Sequence, residues 1–328
     1  MSTVTPLIAG QKLPKFVKVK QNFPHNELSE EAIKTLIKDN FEKPEFKNTI
    51  KPGMRICITA GSRGLSNIVL ITRTVVDCVK ALGGEPFIIP AMGSHGGATA
   101  EGQRGILRSY NITEESMGCP IISSMETVKI GHAEEIDEDV QIDKNALGAD
   151  GIIVMNRIKA HTGFKGKYES GLMKMMTIGL GKQAGAYVAH SQGDDAMPER
   201  LFSIGSEIIR KAPVIMGIGL MENAFDKTYR IEFLEPEKIA EEEPKLLIDA
   251  KANMAKIFLD ACDVIILEKI GKNYSGGGMD PNVVGRSRLP IGIKSERMGI
   301  WGLSEESHGN ATGMGRADVG TMDFFKQI

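Results

Sequence analysis

Two histidines frame the segment HTGFKGKYESGLMKMMTIGLGKQAGAYVAH, His161 at its start and His190 at its end. Lys174 stands in its most apolar run, between Leu172-Met173 and Met175-Met176. The chain holds only six histidines, and a third, His95 in GSHGG, adds another group able to exchange a proton near neutral pH. A lysine can bury its methylenes and lift its amine to water. Gly171 and the glycines at 179 and 181 suggest instead a close approach of backbone, and a partly desolvated amine loses preference for its charged form and becomes a usable nucleophile. His95 and His161 could each be a satisfied loop residue. As a pair at separate strand ends they could work as acid and base on opposite sides of a substrate, which suits inversion of a stereocentre. His190 could ligate a metal, end a helix or face solvent. No HExxH and no compact ligand cluster occurs, so a metal held only by side chains is not expected, and an organic cofactor would have to provide most ligands. Arg63, Arg286 and Arg288 fall in predicted loops, as solvated cations or as forks for a carboxylate or phosphate.

The elements around these residues repeat one unit. KPG at 51–53 is a turn, MRICITAG a short strand ending in glycine, and SNIVLITRTVVDCVKALGG a helix that stops on a glycine pair. EPFIIPAMGSHGG repeats strand and glycine, and Thr99 opens the next helix as an N-cap. CPIISS, GIIVMNRI and KAPVIMGIGLM read as further strands. A parallel sheet with helices on its faces follows, with ligands expected beyond the strands' carboxyl ends, at GSRG (61–64), GSHGG (93–97) and RIKAHTGFKG (157–166). DVIILEKIG and RMGIWGLS supply strands of a smaller second unit, with the loop KNYSGGGMDPNVVGRSR between them. The expected fold is α/β in two domains, 1–225 and 226–328, with the active site in the cleft. The acid-rich run from Glu235 to Glu243 is the boundary cue, because it would be costly to bury.

The length of 328 residues favours two domains. A net charge of -2 gives no global field toward nucleic acid or an anionic membrane, and 18 consecutive apolar residues occur nowhere. The N-terminus, MSTVTPLIAGQKLPKF, has no long apolar run behind a basic start, so export is not expected. Cys57, Cys78, Cys119 and Cys262 never form CxxC, which fits a reducing cytoplasm. Neither GxGxxG nor GxxxxGK[ST] is present, leaving dinucleotide binding without a motif.

In order, GSHGGAT (93–99), HTGFKG (161–166), GLMK (171–174) and AHS (189–191) make the chain resemble the nickel-dependent lactate racemase family, over about residues 50 to 290. The resemblance implies a nickel pincer nucleotide (nickel pyridinium-3,5-bisthiocarboxylic acid mononucleotide), tethered at Lys174, with His190 as the protein's nickel ligand and Ser94, Gly96 and Gly97 in the cofactor loop. It implies His95 and His161 as the acid-base pair, with Arg63 in the early loop holding substrate or cofactor. The implied reaction is reversible hydride transfer that racemises or epimerises a 2-hydroxy acid. Cofactor-synthesis and nickel-insertion proteins are implied as partners, and an oligomer remains open. AGSRGLS lacks the family's Asp and Thr around Arg63. Gly285 and Arg288 stand where lactate racemases carry a glutamine and a lysine near the substrate carboxylate, which implies more room and a bidentate grip on another 2-hydroxy acid. The alternatives are an NAD-dependent 2-hydroxy acid dehydrogenase and a nickel-cofactor-binding protein without turnover.

Overall fold

The computed structural model describes residues 10, 12 and 15–328, and most of the N-terminal stretch read for a leader lies outside them. Helix α1 (Glu30–Glu42) is capped by Ser29, whose hydroxyl accepts the Ala32 amide. Then β1 (Arg55–Ala60), α2 (Ile68–Ala81), β2 (Glu85–Pro90) and α3 (Ala100–Ser109) stand where the apolar periodicity places them. Thr99 caps α3, accepting the Gly102 amide at 3.0 Å.

CPIISS is not a strand. After one bridge between Ile121 and Ile88 the chain leaves the sheet, because Ser123 donates its hydroxyl to the Ala100 carbonyl and the Ser124 hydroxyl accepts the Glu126 amide, local bonds that compete with a ladder. An antiparallel hairpin, β3 (Thr127–Ala133) and β4 (Glu138–Asp143), forms instead. β5 (Gly151–Arg157) returns to the sheet. Helix α4 opens with one α-helical turn over Leu172–Lys174 and continues as a π-helix over Met175–Leu180. It is followed by α5 (Lys182–His190), α6 (Met197–Lys211), β6 (Val214–Glu222), β7 (Thr228–Leu234) and α7 (Pro236–Asn253).

The first sheet has the order β2-β1-β5-β6-β7, parallel throughout except for β7. Both of its faces are covered, as a parallel sheet requires. Along β5, Ile152 and Val154 join the core under α4, α6 and α7, whereas Ile153 and Met155 join the core under α1 and α2. The smaller unit is a parallel sheet of β8 (Ala261–Ile270), β9 (Lys294–Leu303) and β10 (Val319–Gly320), in the order β10-β9-β8. Helix α8 (Met322–Lys326) packs its Phe324 on Ile270, Met298 and Ile300.

A division at 225 would separate β6 from its antiparallel partner β7. The acid-rich run lies in α7, which packs Ile239, Leu246 and Leu247 into the first core and fully buries Glu243. We therefore propose the domain boundary between α7 and β8, after Asn253. Only one face of the acidic stretch is solvated, while Glu243 accepts the Met173 amide at 2.9 Å inside.

Candidate active site

β1 lies between β2 and β5, the point where chain order reverses, and the loops leaving these three strands meet at their carboxyl ends. Arg63 follows β1, His95 follows β2 and His161 follows β5, so the three loops anticipated from glycine spacing converge. The second domain faces them. A side chain at Gly276 would lie 2.4 Å from the Arg63 guanidinium, and Asn282 Nδ2 donates to the His161 carbonyl at 3.2 Å.

Lys174 and His190 reach the same place by a break in the helix. Sixteen residues of continuous α-helix would part them by about 24 Å. Instead the π-helix ends at Leu180, and Lys182 takes φ +53°. Gly181 makes the corner possible, since a Cβ there would sit 2.3 Å from the Thr177 carbonyl oxygen. The far end of α5 is fixed by buried Arg200, which donates to the Val188 carbonyl at 2.7 Å and to Ser191 Oγ at 3.1 Å, and pairs with Glu138 at 2.6 Å.

The electrostatics record the convergence. Burial, followed by the charges of Lys159 and Arg63, brings the half-buried Lys174 amine down to about 8, with Asp194 opposing. Among the described residues the amine has no hydrogen bond or ion pair; it lies 5.6 Å from the centre of the Phe164 ring. His161 stacks on that ring at 4.0 Å. Burial and then the charges of Lys174, Lys165, Lys159 and His190 push His161 down to about 2. His95 and His190 have exposed rings, yet protein packed behind each lowers its pKa by desolvation. Lys174 lowers both further, as Arg63 and Lys272 do for His95. Thus burial first, and the Lys174 charge after it, disfavour the charged form of all three imidazoles.

His161 also has a defined tautomer. Its Nδ1 accepts the Gly163 amide at 3.1 Å and the Phe164 amide at 3.4 Å, so the neutral ring carries its proton on Nε2. Fully buried Glu169 holds this turn, accepting the His161 amide at 2.6 Å, Lys165 at 3.1 Å and Lys251 at 2.7 Å. Its signal in the sequence was its being the sole acid between His161 and His190. Lys159 and Asp194 also bear on Lys174, and Asp194 had no comparable signal.

In the loop after β2, Gly96 and Gly97 both have φ +66°. Gly96 packs backbone on backbone, a Cβ there falling 2.6 Å from the Gln103 amide nitrogen, whereas nothing lies within 4 Å of a Cβ on Gly97. Beside it Ser94 is exposed. Two second-domain residues have structural ties of their own. Gly285 has φ +72° and a side chain would fall 2.0 Å from the Ile293 carbonyl oxygen, so it serves a turn. Arg288 pairs with Asp194 at 3.4 Å and Asp195 at 3.2 Å, so its guanidinium closes the domains together. Arg286 likewise pairs with Asp318, at 2.6 Å.

No group of three or more His, Cys, Asp or Glu able to hold a metal occurs among the described residues. What stands together is a free amine of lowered basicity, a neutral imidazole on His190 and an open glycine loop. That donor set fits a cofactor joined covalently at Lys174 and bringing most of a metal's ligands with it.

The family model for the lactate racemase N-terminal domain matches residues 5–194. No curated protein matches the chain. Among solved structures, a protein from Thermotoga maritima is 12% identical with a TM-score of 0.58, the match covering 85% of this chain and 72% of that one. The lactate racemase apoprotein from Thermoanaerobacterium thermosaccharolyticum is 13% identical with a TM-score of 0.54, over 84% of this chain and 68% of that one. Such identities speak for a shared fold.

Proposed function

Since the chain belongs to the lactate racemase N-terminal domain family, we propose that it racemises or epimerises a 2-hydroxy acid with a nickel pincer nucleotide. Lys174 would tether the group and His190 would ligate its nickel, with Ser94, Gly96 and Gly97 lining the loop beside it. When bound, that group supplies the acceptor and returning donor of the substrate's alpha hydrogen as hydride. The observation that carries the reading is the Lys174 amine, unpaired among the described residues, beside the Phe164 ring on which His161 stacks, at the strand ends that also carry His95, with its charge felt at His95, His161 and His190.

The chain's own residues do the rest. His95, neutral near pH 7, accepts the proton of the substrate hydroxyl. His161 presents Nε2–H to the substrate oxygen from the other side. To act there as acceptor, its ring must release the Gly163 and Phe164 amides and move its proton to Nδ1. Arg63 and Lys272 flank His95 with positive charge suited to a carboxylate or phosphate. The domain contacts at Asn282 and Arg288 close the cleft, limiting loss of a 2-keto acid and entry of water.

The test is a panel of chiral 2-hydroxy acids, including sugar acids and aromatic acids, incubated with cofactor-loaded protein without NAD and read by chiral separation. Exchange of configuration supports the reading. Tight retention of cofactor with no exchange for any acid would favour a binding protein, and reduction of added NAD would favour a dehydrogenase.

A further inference from the structure

Behind the site lies a buried cation that the reaction does not use. Lys182, fully buried, occupies the corner between α4 and α5 with φ +53°. Its ammonium donates to the Pro90 carbonyl at the end of β2 and to Gln103 Oε1 at 3.3 Å on α3. It lies 3.2 Å from Asp143 Oδ2, a close ion pair rather than an aligned hydrogen bond. Asp143 Oδ1 is occupied by the amides of Asn145 and Ala146 at 2.7 and 3.0 Å. Gln103, also fully buried, passes the connection on, its Nε2 donating to the Gly93 carbonyl at 2.9 Å and to the His95 carbonyl at 3.2 Å.

Burying an ammonium and a carboxylate costs several kcal/mol before their attraction is counted, and an apolar residue of similar volume is often no worse for stability. A non-glycine residue at positive φ adds a further cost. Such a pair is therefore poorly explained by stability, but its connections are specific. One end fixes the corner from which α5 carries His190 back to Lys174. The other fixes the backbone on both sides of Ser94, in a loop whose Gly96 already lies against the Gln103 backbone.

We propose that Lys182 is a positioning residue which, through Gln103 and Asp143, sets the His95 loop and the His190 helix in register around Lys174. The importance of that register rests on the function proposed above; the connection itself does not. The decisive measurement is amide hydrogen exchange on the cofactor-free protein, for Gln103→Leu, Lys182→Met and Lys182→Arg. Gln103→Leu should speed exchange at residues 93–98 by about tenfold or more while leaving 183–190 protected, because only one arm is cut. Lys182→Met should loosen both segments, and Lys182→Arg should restore part of the protection. In loaded protein, Gln103→Leu should lower kcat by about tenfold to a hundredfold with KM little changed, as expected for misplacement of a reacting group. Unchanged protection of 93–98 in Gln103→Leu, or a loss spread evenly over the chain, would overturn the proposal. Should Lys182→Met fail to fold, Gln103→Leu decides alone. Altered exchange in a chain that racemises nothing would sink the proposed reaction and leave the positioning intact.

Discussion

At Lys174 the chemistry comes from a mismatch between side chain and surroundings: an amine set on buried methionines, with cations for neighbours and no anion within bonding distance. Lowered to about 8, it should react with an amine-selective acylating reagent at a rate that rises through pH 8 and levels above it, whereas an ordinary lysine keeps rising beyond pH 10. Peptide mass mapping of Lys174 across that range checks it; a midpoint near 10.5 would refute the lowered basicity. The His161 tautomer is equally open to measurement, since nitrogen chemical shifts in labelled protein should show Nδ1 unprotonated and Nε2 protonated at pH 7. Replacing His95 or His161 by Asn should lower kcat/KM by about a hundredfold to ten-thousandfold while the melting temperature moves little for exposed His95. These residues were legible from type and context, each histidine after an apolar run and the lysine within one. Glu169 was legible only in hindsight, and Asp194 not at all, because its importance lies in what folds against it.

Among the elements, the strand–loop–helix units announced themselves through apolar period and glycine stops, as at β1, α2 and β2. The corner between α4 and α5 did not. A sequence of good helix period gives no warning that residues 175–180 form a π-helix, or that Lys182 breaks the run. Both follow from close contacts at Gly179, Gly181 and Gly185 that exist only after folding. The start of α4 makes a separate prediction. Glu243 is raised to about 7 by burial, partly offset by hydrogen bonds from the Met173 and Leu172 amides. A carboxyl with a raised folded pKa contributes stability that is fully present below its unfolded value near 4.5 and is lost as pH rises through 7. Denaturant melts between pH 4.5 and 8 should show this loss, on the order of 3 kcal/mol. Glu243→Gln should flatten that part of the profile; an identical slope in the variant would remove Glu243 as its source.

The two domains meet over the site, and this is where sequence reading was weakest. Acidic composition served as the boundary cue, and it could not reveal that α7 turns Ile239 and Glu243 inward. Arg288 looked like a clamp for a carboxylate, but whether a guanidinium is free depends on Asp194 and Asp195 across the cleft. An exposed pair of this kind is worth no more than about 1 kcal/mol, so Arg288→Ala should leave the melting temperature nearly unchanged and raise KM by only about fivefold. A rise beyond about a hundredfold would return Arg288 to the role of substrate ligand. The proposed function requires that Lys174 and His190 hold one group between them. Protein loaded by the cofactor-making system should carry an added mass on the peptide containing Lys174, together with nickel. His190→Ala should keep the added mass and lose most of the nickel, and Lys174→Arg should lose the added mass. Protein that interconverts enantiomers with Lys174 unmodified, or that holds nickel equally well without His190, would contradict it.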